Sequence, residues 1–395
     1  MAERMINLYS DTQTQPSKAM RLAMAEAPVG DEQRGEDPSV NRLCAMTAEL
    51  LDKEAAVFLP SGTMCNQLAI HIHCRPGEEI IAHRSAHILN FEGGGTAAFS
   101  GVQVQGLDGP KGQFSVEAAR AAIRPKDRYH PQTRMIAVEQ TANMGGGAIW
   151  SLKDLTALGA LAEQQGLAYH MDGARLLNAV VASGVAARDF AKPFDSLWID
   201  LSKGLGCPVG AVLAGSREFI EESWRLKQRA GGAMRQAGII AAAGIYALEH
   251  NVERLAEDHA NARLLAESLR NLPGVSVDPE TVETNIVFFD IAGTGLTADP
   301  FCAALKQKGI DLGGAGTRVR AVTHLDISRE DIEAAVAAIR TAITVGDAIT
   351  PSPRFAWVRS AVLPGLQDSH VSRDDLATAV DTVAVPGLVP GTQQH

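Results

Sequence analysis

Short apolar runs alternate with helix-like segments from about residue 40 to about residue 250, and this alternation restricts the fold more than any other feature. Residues 54–60 read as a strand, and Ser61-Gly62-Thr63 turns from it into a helix. Residues 79–82 and 133–139 read as further strands. The runs 166–171, 196–201 and 210–214 continue the series. Strands separated by helical patterns imply βαβ units, and so an α/β chain with a mostly parallel sheet.

Beyond residue 248 the pattern changes. Residues 249–269 are charged and periodic and read as one long helix crossing to a second domain. A strand at 284–290, a helix through 304, a strand at 319–322 and a last helix from Ser328 suit a small α/β domain of about 90 residues. The run Ser328-Arg329-Glu330-Asp331 carries an N-cap serine and an acid three residues on, a weakened capping box. From Gly346 the chain is punctuated by Pro351, Pro353, Pro364, Pro386 and Pro390, with one short helix expected near 370–376. The expected division is an arm over 1–20, a large domain over 21–250, a small domain over 251–345 and an extension over 346–395.

The formal charge of −10 argues against nucleic acid as a partner. The longest apolar stretch, 237–248, is too short to span a bilayer and reads as a buried helix. Met1-Ala2-Glu3-Arg4 does not resemble a signal peptide. Five cysteines without metal-ligand spacing point to free thiols in a reducing compartment, and no metal is expected. A cytoplasmic protein with no membrane role follows as the expectation.

Two residues carry the chemistry. Asp172 opens Asp172-Gly173-Ala174-Arg175 and Lys203 lies in Ser202-Lys203-Gly204, each directly after a strand-like run. Open α/β sheets build their sites at such strand ends. A lysine and a carboxylate so arranged suit pyridoxal 5'-phosphate: the lysine forms a Schiff base and the acid keeps the pyridine nitrogen protonated. Asp at a strand end is also a common helix N-cap. Gly62 and Thr63 open a helix, where free N–H groups can cradle a phosphate. His87 follows the second strand and can stack on a ring or move a proton, although a lone histidine is more often structural. Glu139 begins a polar loop, Glu139-Gln140-Thr141-Ala142-Asn143, backed by three glycines, which suits the wall of a site. Arg175 and Arg320 come from different domains and can clamp one carboxylate. Each alone would read as a surface ion pair.

Taken together, these residues resemble the low-specificity L-threonine aldolases, within the aspartate-aminotransferase-like (fold type I) pyridoxal-phosphate enzymes. The resemblance runs from about residue 7 to about residue 343. It is carried by Ser10-Asp11-Thr12-Gln13-Thr14, Gly35-Glu36-Asp37-Pro38, Pro60-Ser61-Gly62-Thr63-Met64, His87-Ile88, Asp172-Gly173-Ala174-Arg175, Leu201-Ser202-Lys203-Gly204, Met234-Arg235-Gln236-Ala237-Gly238 and Val322-Thr323-His324. It implies a large domain with a seven-stranded type of sheet flanked by helices. Lys203 would be the Schiff-base lysine, Asp172 the partner of the ring nitrogen, and His87 the stacking residue and a candidate base. Gly62 and Thr63 would hold the phosphate. Ser10, Arg175 and Arg320 would hold the substrate carboxylate. Arg235 resembles an arginine that reaches the cofactor phosphate of a neighbouring subunit, which implies a homotetramer with shared sites. The implied reaction is retro-aldol cleavage of an L-β-hydroxy-α-amino acid to glycine and an aldehyde.

Four positions depart from the family pattern. Arg34 replaces a usual tyrosine, Tyr9 a usual arginine, Tyr129 a frequent histidine (His130 is displaced by one) and Gln140 a frequent asparagine. Arg34, as a cation near a neighbour's site, would suit an acidic substrate such as 3-hydroxyaspartate. A packing exchange between Arg34 and Tyr9, with threonine as substrate, is the plainer expectation. β-Elimination, transamination and racemisation use the same scaffold, and fold alone does not separate them. A catalytically retired interaction protein is a further alternative, opposed by the intact Lys203, Asp172, His87, Arg175 and Arg320.

Overall fold

Seven strands form the central sheet, and six of them run the same way. In a computed structural model the structure describes residues 4–344. A short strand β1 (Ile6–Asn7) is followed by β2 (Ala55–Leu59), β3 (Glu79–His83), β4 (Gln103–Leu107), β5 (Thr133–Glu139), β6 (Ala168–Gly173), β7 (Ser196–Asp200) and β8 (Ala211–Gly215). The sheet order is β2-β8-β7-β6-β5-β3-β4, and β8 is antiparallel to both its neighbours. The expected mostly parallel α/β sheet is therefore present. Its strand β4 escapes a sequence reading because Gln103, Gln105 and Gly106 dilute the apolar signal of an edge strand.

The inner strands read as continuous apolar runs because helices cover both faces. Phe58, Ile136, Tyr169, Leu197 and Val212 belong to one buried core beneath those helices. A second core is built from the helices Leu255–Arg270, Ala298–Gln307 and Arg329–Thr344 around β9 (Ile286–Asp290) and β12 (Arg318–Val322). β10 (Ile310–Asp311) pairs parallel with β1, and β11 (Gly313–Ala315) extends β12. Leu8, from the N-terminal segment, is buried in this second core, so that segment is tied to the C-terminal lobe.

Local signals are realised as hydrogen bonds. Ser61 Oγ accepts from the Met64 N–H and caps the helix Gly62–His73. The Ser328 N–H donates to Asp331 Oδ2 at 2.9 Å, and the Asp331 N–H donates back to Ser328 Oγ at 3.2 Å. The capping box is thus complete with aspartate in the acidic position. One expectation is corrected. Residues 249–269 are not one helix: the helix Gly238–His250 stops at Asn251, and a new helix spans Leu255–Arg270. The Asn251 side chain donates to the Leu205 carbonyl at 2.8 Å, which fixes the break. The proline-punctuated extension lies outside the described residues. Among those residues, no helix is long and apolar enough to cross a membrane.

Candidate active site

The carboxyl ends of the parallel strands converge on a cleft of about 460 Å³. β2 delivers Gly62 and Thr63, β3 leads to His87, β5 ends in Glu139, β6 in Asp172, and β7 leads to Lys203. Ser10, Arg175 and Arg320 complete the lining. Nearly every residue singled out in the sequence is therefore brought together. Two are not. Arg34 is exposed and pairs with Glu36 at 3.0 Å, and Arg235 is exposed and pairs with Asp31 at 2.9 Å. Both lie outside the cleft of their own chain, and Glu32 beside Arg34 is anchored by a fully buried ion pair to Lys227 in the helix Arg217–Arg229. Glu32 also accepts from the Met234 N–H at 2.8 Å, so the loops that carry Arg34 and Arg235 are held firmly together.

Asp172 is not a helix cap, because the next helix, Leu176–Ser183, is preceded by Arg175 and has no side-chain cap. Its carboxylate accepts from Asn66 Nδ2 at 2.9 Å and from the Ala174 N–H at 3.1 Å. Burial raises its pKa, and the charge of Lys203 acts in the opposite direction. Lys203 Nζ lies 2.7 Å from Asp200 Oδ2. The Thr14 hydroxyl donates to the Lys203 carbonyl at 2.9 Å, so the N-terminal segment also fixes this lysine's backbone.

His87 Nδ1 lies 2.9 Å from Glu92 Oε1, and its N–H donates to Glu139 Oε2 at 2.8 Å. Burial opposes a charged imidazole, but Glu92, Asp172 and Glu139 outweigh it and raise the pKa. Burial, and then the Asp172 charge, push Glu139 up to about 7. His87, Glu92 and Asp172 each bring a ligand-type atom within 4.8 Å of the others. Asn66 Nδ2 already donates to both carboxylates, at 2.7 and 2.9 Å, so this set is a hydrogen-bonded network rather than a cation cage.

The two arginines meet as expected, but on an asparagine. Arg320 and Arg175 donate to Asn143 Oδ1 at 2.8 and 3.4 Å. Arg175 also makes a bidentate pair with Asp11, both bonds at 2.7 Å, and both side chains are buried. Asn285 adds a donor to Asp11 at 3.1 Å. Burial, then the Arg175 charge, pull Arg320 down to about 10.

The cleft suits an anionic, ring-bearing guest. Gly62 and Thr63 occupy the first turn of a 12-residue helix, where N–H groups have no intrahelical acceptor. A Cβ on Gly62 would meet the Trp198 ring at 2.1 Å, so only glycine allows this close approach. Thr141 Oγ1 and Arg320 Nε are buried without a hydrogen-bond partner among the described residues, and both residues line the cleft.

Of the departures, Gln140 has a clear structural use. Its amide exchanges two hydrogen bonds with the Trp150 backbone, at 3.2 and 3.0 Å. Tyr9 keeps its carbonyl on Arg320 at 3.4 Å and rests its ring on Gly313. Tyr129 is 87% exposed and does not enter the cleft of its own chain. The sequence reading assigned no role to Asp11, Asn66, Glu92 or Asp200. A usable signal existed for Asn66: with Gln67 it interrupts the apolar residues Met64-Cys65 and Leu68-Ala69-Ile70 of its helix, where a buried amide demands partners.

Known proteins resemble this chain in sequence and in fold. A family model described as beta-eliminating lyase matches residues 7–292. The low specificity L-threonine aldolase of Escherichia coli (strain K12) is 43% identical over 329 residues, covering 83% of this chain and 96% of that protein. Low-specificity L-threonine aldolase 1 of Arabidopsis thaliana is 41% identical over 338 residues, covering 84% and 94%. The solved structure of Leishmania major threonine aldolase has the same fold, with a TM-score of 0.74 at 19% identity over 86% of this chain and 99% of that one.

Proposed function

The chain belongs to the beta-eliminating lyase family and, within it, to the low-specificity L-threonine aldolases, and on that premise we propose that it cleaves L-threonine or a close relative to glycine and an aldehyde with pyridoxal 5'-phosphate. The observation that carries this reading is the convergence of Lys203, Asp172 and His87 on one cleft beside two guanidinium groups. When bound, the cofactor supplies an electron sink for the pair released from the Cα–Cβ bond.

In this reading Lys203 would hold the cofactor and Asp172 would keep its ring nitrogen protonated. Gly62 and Thr63 hold the phosphate at the helix N-terminus. Arg175, Arg320 and Ser10 bind the substrate carboxylate. The Asn143 carbonyl, on which both guanidiniums now converge, marks the point where a carboxylate oxygen would be received. His87 Nδ1 is engaged by Glu92, which leaves Nε2 to take the β-hydroxyl proton, directly or through water. Glu139, through the His87 N–H, fixes the start of the helical turn that carries the imidazole.

Arg235 and Arg34 are assigned to a neighbouring subunit's cleft in a homotetramer, an assignment supported by their exposure and by the firmly tied loops that present them. The separate hydrophobic cores support a large lobe over 21–250 and a small lobe over 251–345. A soluble, cytoplasmic enzyme acting on a free amino acid is the matching picture. Threonine-type substrates come first, because the relatives that match most of the chain are low-specificity L-threonine aldolases and the Arg34 guanidinium is already paired with Glu36.

The test is a product assay on the purified holoenzyme with L-threonine, L-allo-threonine and L-3-hydroxyaspartate. Glycine and aldehyde are expected from the threonines. Keto acid and ammonia would replace cleavage with elimination. Cleavage of hydroxyaspartate alone would reinstate Arg34 as a specificity residue.

A further inference from the structure

Behind Asp172 a chain of buried polar groups passes into the sheet and plays no part in the chemistry described so far. Asn66 Nδ2 donates to Asp172 Oδ2 at 2.9 Å and to Glu92 Oε1 at 2.7 Å. Trp198 Nε1 donates to Asn66 Oδ1 at 2.7 Å, and His170 Nε2 lies 3.1 Å from the same oxygen. His170 Nδ1 lies 2.8 Å from Ser196 Oγ, and His73 Nε2 lies 2.8 Å from that Oγ on its other side. Asn66 and Ser196 are fully buried, and His170 is 1% exposed. The secondary structure builds the chain. Asn66 and His73 lie two turns apart on the helix Gly62–His73, hence on one face. Between them, β6 and β7 present His170 and Ser196 as a registered pair.

Every proton in this chain has a forced position. Indole N–H can only donate and a carboxylate can only accept, so the Asn66 amide has one orientation. Its oxygen is an acceptor, so His170 Nε2 carries the proton and Nδ1 does not. Ser196 must then donate to His170 Nδ1, and its oxygen must accept from His73 Nε2–H. Each donor of the chain therefore points toward Asn66, whose amide gives one N–H to Asp172 and the other to Glu92. Burial lowers both imidazole pKa values, His73 to about 4 and His170 to about 3, which agrees with neutral rings.

We propose that His73, Ser196, His170 and Asn66 form a proton-ordered hydrogen-bond relay that holds Asp172 as a carboxylate, and that His170 and Ser196 are thereby positioning residues for the cofactor's ring nitrogen. The proposal rests on the aldolase reading for the role of Asp172. The need is physical. Burial favours the neutral form of Asp172, and the neighbouring Glu92 carboxylate adds to that effect. Lys203 and His87 face it from the cleft side, and on the sheet side the aligned dipoles stabilise the negative charge.

Two kinds of measurement test the relay. ¹⁵N NMR of histidine-labelled protein, with and without cofactor, is expected to show His170 and His73 as neutral Nε2–H tautomers. His170→Leu is expected to weaken cofactor binding about tenfold and to lower kcat by a similar factor, with KM little changed, as loss of a supporting hydrogen bond behind a first ligand does. His170→Gln, which keeps a donor toward Asn66, is expected to restore most of both losses. Should His170→Leu fail to fold, Ser196→Ala carries the test: about threefold weaker cofactor binding is expected, together with a shift of the His170 Nδ1 signal. A His170 protonated on Nδ1 overturns the proposal, and so does unchanged cofactor affinity in the variants. If the unaltered protein binds no cofactor, the aldolase reading fails, while the tautomer measurement still decides the order of the protons.

Discussion

Lys203→Ala lowers glycine production about a thousandfold or more, with secondary structure by circular dichroism unchanged. Lys203 is the amine held at the carboxyl end of the central strands, and its side chain is only 17% exposed. Asp200 holds its Nζ at 2.7 Å, and the Trp198 ring lies 5.7 Å from it. Among the described residues, no other lysine lines the cleft. The change removes the amine that would anchor the cofactor as a Schiff base. Because Asp200 keeps the Ser202 N–H and hydroxyl as partners, each at 2.8 Å, the fold survives the loss. A Lys203→Ala protein within about tenfold of the parent activity would remove this lysine from the chemistry.

The second large effect concerns stability. Asp11→Ala leaves Arg175 buried without its counter-ion, and breaking a buried pair by removing one partner costs about 3–5 kcal/mol. Asp11 is fully buried, and Arg175 is 5% exposed. Burial favours the neutral acid, but the charge and hydrogen bonds of Arg175, with help from Lys203 and Asn285, hold the carboxyl far below its usual 3.8. The folded pKa therefore lies below the unfolded one. The pair's contribution is complete above the unfolded value and is lost progressively as pH falls below it. Urea midpoints taken from neutral pH down to about pH 3 are expected to draw closer for the parent and Asp11→Ala proteins below the unfolded value without meeting, because the folded pKa lies much lower. The same variant is expected to raise KM for the amino acid, because Arg175 loses the fork that aims its remaining donor at Asn143. Equal urea midpoints at neutral pH would show that the pair contributes nothing net.

The sheet and the cleft were legible from the sequence for a common reason. Asp172, Lys203, Glu139 and His87 each follow a short apolar run, and in a parallel sheet all such run-ends emerge on one edge. Distance along the chain hid the rest. Asp11 and Arg175 are 164 residues apart, and Asn66 and Asp172 are 106 apart, so no local period couples them. The break at Asn251 was missed because residues 249–269 keep a helical charge pattern, while a tertiary contact to Leu205 ends the first helix. Arg34 and Arg235 show the opposite case. Their local motifs are clear, but within the chain they form only exposed ion pairs with Glu36 and Asp31.

The most direct measurement is to reduce the cofactor-loaded protein with borohydride, digest it and find the lysine that retains the pyridoxyl group. Modification at Lys203 alone is expected. Labelling of the buried Lys227 or a surface lysine instead, or a protein that takes up no cofactor, would contradict it.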